Sequence, residues 1–261
     1  MTHQLDFDNS DQIMNLLIEN GELPRYIYKY TDIESLKLIL EDSTLKFSKP
    51  SDFNDPFDCN ITIDTENSTE EINEYIEMLK KGRNLTVEQI NTLKEKYHNP
   101  KTLFELTNKS VKQSKESFGV SCFSRLNGNI LMWSHYSEKH KGVCLKFDLL
   151  ADAEFFMTPF IVEYNNKYPK YNYIRNPVGL AQFLLKTKSI DWEYEKEIRV
   201  MKEGHGLYGF NKKALVEIIF GARTSYSDRN EIRELLNKLE YNKTTIRNAK
   251  ISETDFKLEI E

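Results

Sequence analysis

The sequence predicts an α+β fold, a mixed and largely antiparallel sheet with flanking helices and a helical insertion. Three observations carry this. Strand-like runs recur along the chain, at Phe118 to Phe123, Val143 to Phe147, Phe160 to Tyr164, Glu197 to Met201, Leu207 to Phe210 and Leu215 to Phe220, mostly without a helix between them. Helical periodicity is confined to a few segments. From about residue 65 to 115 charged residues dominate, glycine nearly vanishes, and Ile72, Tyr75, Ile76 and Leu79, then Ile90, Leu93 and Tyr97, recur at helical spacing.

Taken in order, Asp11 to Asn20 carries Ile13, Leu16 and Leu17 and stops at Gly21, which predicts a short amphipathic helix. Tyr26 to Tyr30 predicts a strand. Thr31, with Glu34 three residues on, predicts a capped helix whose buried stripe is Ile33, Leu36, Ile39 and Leu40. Short strands are expected at Leu45 to Ser48 and Cys59 to Ile63, around the turn-rich Pro50 to Asp58. Two or three helices fill the insertion. Further helices are expected at Val178 to Lys188 and Asp228 to Leu239, and a last strand at Phe256 to Ile260 to close the sheet. The whole is expected to be one α+β domain over residues 1–261, with the charged helical insertion at about 65–115.

Composition narrows the function classes. The chain has 261 residues, 39% of them hydrophobic, with 15 Phe and 14 Tyr, enough for an aromatic-rich core. A formal net charge of −5 gives no general attraction for polyanions, so a nucleic-acid contact would need a local patch. The acidic beginning MTHQLDFDNSDQ has no signal-peptide pattern, and the apolar run at Phe155 to Val162 is short and broken by Pro159. A cytoplasmic protein without membrane spans is expected. Cys59, Cys122 and Cys144 are too few and scattered for a disulfide framework or a zinc site, which fits a reducing compartment.

Four stretches hold side chains that could carry chemistry. In IDWEYEKEIRV (190–200) the apolar Ile198 and Val200 alternate with Glu197 and Arg199, and an extended reading puts Glu195 on the same polar face. That face is either a carboxylate held rigidly at the mouth of a cleft or a solvated Arg–Glu pair. In FNDPFD (53–58), Asn54 or Asp55 either binds a polar ligand or closes an Asx-turn. Residues 121–148 concentrate Ser121, Cys122, Ser124, Trp133, Ser134, His135, Tyr136, His140, Cys144 and Asp148. The spacing of His135, Glu138 and His140 reproduces neither HExxH nor HxxEH, so no metal site is expected. Trp133 and Tyr136, three apart, form an aromatic face that either stacks a planar ring or packs on the sheet. Finally, Tyr164, Tyr168, Tyr171 and Tyr173 interleave with Lys167, Lys170 and Arg175, either a nucleic-acid-binding patch or an ordered loop with snorkelling lysines.

Taken together, YKYT (28–31), FNDPFD (53–58), CFS (122–124), LMWSHY (131–136) followed by His140 and GVCLKFD (142–148), and WEYEKEIR (192–199) resemble the bacterial family called domain of unknown function 2971, over roughly residues 26–221. More distantly, the order of a YKYT strand running into a helix, a central aromatic and a glutamate on a late strand resembles the ADP-ribosyltransferase superfamily. That resemblance implies an NAD-dependent transferase acting on a nucleic-acid or protein acceptor, in phage defence or as a toxin. It implies Glu197 as the carboxylate facing an oxocarbenium-like ribosyl centre and Glu195 as the group that recruits or deprotonates the acceptor. Tyr136 or Trp133 would hold the nicotinamide, and Lys29 or Arg199 would meet a phosphate or ribose oxygen, with Tyr30, Asn54 and His135 in the same NAD-binding set. Lys29 stands where a histidine is expected, and lysine donates but neither accepts nor stacks as imidazole does. The competing expectation is a non-catalytic ligand- or nucleic-acid-binding module in which Glu197 and Arg199 form a structural pair.

Overall fold

The computed structural model describes residues 9–81, 83–157 and 159–261. The chain forms two compact units: the described residues of Met1–Ser48 with Gly119–Val162 and Asp191–Glu261, and Lys49–Phe118 with Glu163–Ile190.

The first unit is built on an eight-stranded sheet. Its strands are β1 (Tyr26–Thr31), β4 (Phe118–Ser124), β5 (Val143–Asp148), β6 (Pro159–Ile161), β10 (Glu197–Glu203), β12 (Leu215–Phe220), β13 (Thr245–Ile251) and β14 (Leu258–Ile260), after β2 (Thr44–Phe47) and β3 (Thr62–Asp64), with β7 (Glu163–Asn165), β8 (Lys170–Asn172), β9 (Thr187–Ser189) and β11 (Gly206–Gly209) outside it. The order across the sheet is β14-β13-β12-β5-β1-β4-β10-β6. Pairing is antiparallel for β1 with β4 and β5, β12 with β5, β10 with β6 and β13 with β14, and parallel for β12 with β13. The fold is therefore α+β with a mixed, mostly antiparallel sheet.

Alternation on these strands makes two apolar layers. One face carries Ile27, Leu145, Phe147, Ile198, Val200 and Phe220. It packs against α1 (Ser10–Glu19), α2 (Ile33–Asp42) and α8 (Tyr226–Lys238) through Met14, Leu36, Leu40, Ile232 and Leu236. The other face carries Tyr30, Cys144, Ile219 and Ala249, against Met132 and Trp133 of α6 (Ile130–Tyr136). The α2 start differs by one residue from expectation. Thr31 stays in β1, paired with Val143, and Asp32 caps the helix by accepting from Ser35 N at 2.7 Å. The short α8 crossover between β12 and β13 makes those two strands parallel.

The second unit holds α3 (Thr69–Lys81), α4 (Val87–His98), α5 (Pro100–Ser117) and α7 (Leu180–Lys186), with β3 paired to β8 and β7 to β9. The expected insertion at 65–115 is thus three helices within a larger body that also takes in residues 49–64 and 163–190. Tyr75, Leu103 and Ile174 form its apolar centre, with Tyr97 and Tyr173 packed on it.

Candidate functional site

Two chain reversals position the polar groups of the first unit. The segment before β10 is not strand: Ile190–Glu195 forms a 3-10 turn, and Lys196 sits at φ 45°, so the extended run begins only at Glu197. This corrects the expectation that Glu195 shares a strand face with Glu197 and Arg199. The kink at Lys196 swings Glu195 toward α6, where Glu195 Oε1 accepts from Tyr136 Oη at 2.6 Å. Ser124 Oγ donates to the Glu195 carbonyl at 2.6 Å and Asn129 Nδ2 to the Tyr194 carbonyl at 3.1 Å, fixing the turn to β4 and to the start of α6.

The second reversal follows α6. Glu138, Lys139 and His140 all adopt the left-handed region, at φ 48°, 56° and 70°, a conformation that costs L-residues roughly 1–2 kcal/mol each. Backbone bonds hold it: His140 N donates to Trp133 O at 3.1 Å, Gly142 N to Ser137 O at 2.9 Å, and Arg223 N to His140 O at 2.9 Å. Gly142 is required for close approach, since a Cβ there would lie 2.2 Å from the Thr31 carbonyl oxygen. The turn lays the His140 ring over Trp133, centroids 6.3 Å apart and planes 11° from parallel, with Nε2 3.1 Å from Ser134 Oγ.

The carboxylates are both buried, Glu195 at 4% and Glu197 at 3% exposure. Glu197 takes a two-pronged bond from the fully buried Arg199, Nε to Oε1 at 2.8 Å and the second prong to Oε2 at 3.0 Å. The Cys122 thiol beside this pair is pushed well up by burial and by the Glu197 charge, so it stays protonated and is no nucleophile at neutral pH. Burial likewise pushes Cys144 well up.

Lys29 falls on the opposite layer. In β1 it pairs with Leu145, whereas Tyr30 pairs with Cys144, so Lys29 points into the layer of Leu145 and Ile198 while Glu197 and Arg199 alternate away from it. Its Nζ donates to Ser121 Oγ and to the Cys122 carbonyl, each at 3.1 Å, and lies 5.1 Å from the Phe123 ring centre. Burial pulls its pKa down, with Cys122 and Glu197 opposing.

The aromatic candidates also separate. Trp133 has no exposed surface; its Nε1 donates to the Asn127 carbonyl at 2.7 Å, and Tyr30 meets it edge-on at 5.3 Å. Tyr30 is equally a core residue, its hydroxyl donating to the Leu126 carbonyl at 2.8 Å and its pKa raised by burial. Neither presents a face to a ligand. His135 is exposed and shares a 3.0 Å contact between Nδ1 and Tyr194 Oη, and Trp192 lies against Tyr194 at 6.0 Å. His135, Tyr136, Trp192 and Tyr194 thus form the aromatic ledge next to Glu195, and two of its members, Trp192 and Tyr194, were not among the expected binding residues. Their signal was present in WEY of WEYEKEIR, but only the kink at Lys196 turns that stretch toward α6.

Asn54 lies in the second unit and is exposed. Beside it, Asp55 Oδ1 accepts from Phe57 N at 2.9 Å, closing an Asx-turn. The Tyr/Lys stretch does not assemble a stacking surface: Tyr171 is fully buried, Tyr173 packs on Tyr75, and Arg175 pairs with Glu71 at 2.7 Å and Asp64 at 3.5 Å. Among the described residues no group of three or more His, Cys, Asp or Glu side chains is placed to hold a metal ion, and no helix is long and apolar enough to cross a membrane.

Residues 132–200 match the family model described as Protein of unknown function (DUF2971). The DUF2971 segment runs from Met132 of α6 to Val200 of β10. It therefore contains the whole ledge, both carboxylates and Arg199, and leaves Lys29, Tyr30 and Asn54 outside. No curated protein and no solved structure gives a significant match.

His140 makes this region pH-sensitive in a defined direction. Burial, and then the nearby Arg223 charge, lower its pKa, and its Nδ1 is buried without a hydrogen-bond partner. An unfolded histidine binds a proton below about pH 6.5. The folded one resists, so stability present above about pH 6.5 falls as the pH drops and levels off once the depressed folded pKa is passed. Melting curves from pH 8 to 5 are expected to show a steeper fall for the wild type than for His140→Gln.

Proposed function

We propose that the first unit binds NAD as a substrate and transfers its ADP-ribosyl group, with Glu195 as the carboxylate that meets the ribosyl cation. The observation that carries this reading is the pairing of a buried carboxylate with an accessible aromatic ledge: Glu195, held by Tyr136 at 2.6 Å, next to the exposed His135 and its partner Tyr194. The planar, cationic nicotinamide ring would stack on such a ledge, and a carboxylate beside it would stabilise positive charge developing at the adjacent sugar carbon. In the reaction the bond between ribose C1′ and the nicotinamide nitrogen breaks, nicotinamide leaves with the electron pair, and the acceptor's lone pair forms the new bond as the acceptor loses its proton. Glu197, with both oxygens bound by Arg199, is assigned a structural role on β10 in this reading. The acceptor favoured by the net charge of −5 and by the dispersal of the Tyr/Lys stretch is a protein.

A second reading is a non-catalytic module that binds a nucleotide-like ring on the same ledge. The two-pronged Glu197–Arg199 bond and the complete burial of Trp133 favour it, because both are what a structural core requires. Binding is common to both readings and is tested first. Saturating NAD is expected to raise the melting temperature by a few degrees, as ligand at ~100 times its Kd stabilises by about 2.7 kcal/mol. His135→Ala with Tyr194→Ala is expected to remove most of that shift. No shift with the wild type, in a protein that melts cooperatively, rejects both readings.

A further inference from the structure

We propose that the outer edge of β14 pairs antiparallel with the same edge of a second copy, joining two sheets across a two-fold axis at Leu258. β14 ends the eight-stranded sheet, and its inner edge is satisfied by β13. Asn248 and Glu261 exchange both backbone bonds at 2.9 Å, and Ser252 N donates to Lys257 O at 3.1 Å. In an antiparallel ladder such bonds alternate, so the odd positions 257, 259 and 261 face β13 and the backbone groups of Leu258 and Ile260 face outward. Among the described residues no strand pairs with this outer edge, where the Leu258 N–H and C=O and the Ile260 N–H point outward, and such an edge is a template for another strand.

Charge selects both the partner and the register. Only pairings that set even positions opposite even positions use the outward groups. With Leu258 opposite the partner's Leu258, Lys257 of each copy stands opposite the partner's Glu259, in the closely spaced, non-hydrogen-bonded position where side chains interact most strongly. A shift of one residue sets Glu259 opposite the partner's Glu259, and a further shift sets Glu259 opposite the partner's Glu261. A copy of this chain in the Leu258-centred register thus sets opposite charges against each other on both sides of the axis, while Asp255, in the bend before the strand, comes opposite the partner's Glu261. Lys257 and Glu259 are both exposed, each about half accessible in its side chain, and Lys257 reaches Asp255 at 3.1 Å and Glu259 at 3.8 Å within its own chain.

The apolar side agrees. Leu258 and Ile260 lie on the layer shared with Trp133, and that layer continues outward into a depression of about 260 Å³ lined by Ile130, Leu131, Ile251 and Phe256. Phe256 is 101% exposed and Ile251 66%. The Leu258-centred register turns the bend that carries Phe256 toward the end of the partner's strand and covers part of this apolar edge from both copies. Arg247 already donates to the Ile260 carbonyl, so the two bonds exchanged at Leu258 are the central ones of the interface.

Sedimentation equilibrium of the full chain at low salt tests this, with melting temperature as a check on folding. The wild type is expected to show a concentration-dependent monomer–dimer equilibrium. Lys257→Glu and Glu259→Lys each set like charges opposite one another twice, and each alone is expected to raise the dimer Kd about tenfold. Mixed in equal amounts they are complementary at both pairs, and the dimer is expected to return. A wild type that stays monomeric up to about 1 mM, variants that dimerise unchanged while melting as the wild type does, or a mixture that fails to restore the dimer would each overturn the proposal.

Discussion

Arg199→Ala is expected to lower the stability of the protein by about 3–5 kcal/mol, the largest loss foreseen for a single substitution in the sheet. Arg199 has no exposed surface and Glu197 has 3%. Removing the guanidinium leaves a carboxylate enclosed on β10 with its two short bonds to Arg199 gone. Glu197→Ala leaves the complementary problem, an enclosed guanidinium. The double replacement by methionine removes both charges and keeps much of the volume, and is expected to cost far less than the sum of the single changes. Urea unfolding of the four proteins measures this coupling. Single changes within about 1 kcal/mol of the wild type would mean that water reaches the pair and would contradict a buried, mutually dependent ion pair.

Glu195→Gln is expected to lower nicotinamide release from NAD by about 10²–10³-fold while leaving the fold intact. The amide keeps the size of the side chain and can still accept from Tyr136, so the 2.6 Å bond has a neutral successor. What it removes is the negative charge. Glu197→Gln is expected to act through stability, since Arg199 binds both of its oxygens. Tyr136→Phe leaves Glu195 without that donor and is expected to lower release by a smaller factor. The separation between Glu195 and Glu197 is the discriminating feature: a larger activity loss for Glu197→Gln than for Glu195→Gln, with unchanged melting temperatures, would move the main role to Glu197.

Much of the fold was legible in the sequence because its signals are local. Ile33, Leu36, Ile39 and Leu40 predict α2 by spacing, and the alternation of Ile198 and Val200 with Glu197 and Arg199 predicts the two faces of β10. β13 was missed, because TIRNAKI offers only Ile246, Ala249 and Ile251 as apolar residues, and its strand is secured by pairing with β12 and β14 on either side. The site was legible in composition but not in arrangement. LMWSHY and WEYEKEIR contain its groups, yet which of them meet depends on backbone reversals at 138–140 and 196 made by residues other than glycine, where sequence gives no warning. Period-two reasoning placed Glu195 with Glu197 on one face; the positive φ at Lys196 parts them. It also could not weigh Lys29, because a strand position opposite Leu145 is decided by a pairing register set over a distance of more than a hundred residues.

The most direct measurement is release of labelled nicotinamide from NAD by the purified protein, followed over time beside Glu195→Gln of equal melting temperature. Steady release by the wild type, reduced at least about a hundredfold in the variant, is the predicted result. Release that is equal in the two proteins, or absent from a wild type whose melting temperature NAD raises, would contradict transferase chemistry at Glu195, and the latter outcome would leave the ledge as a binding surface.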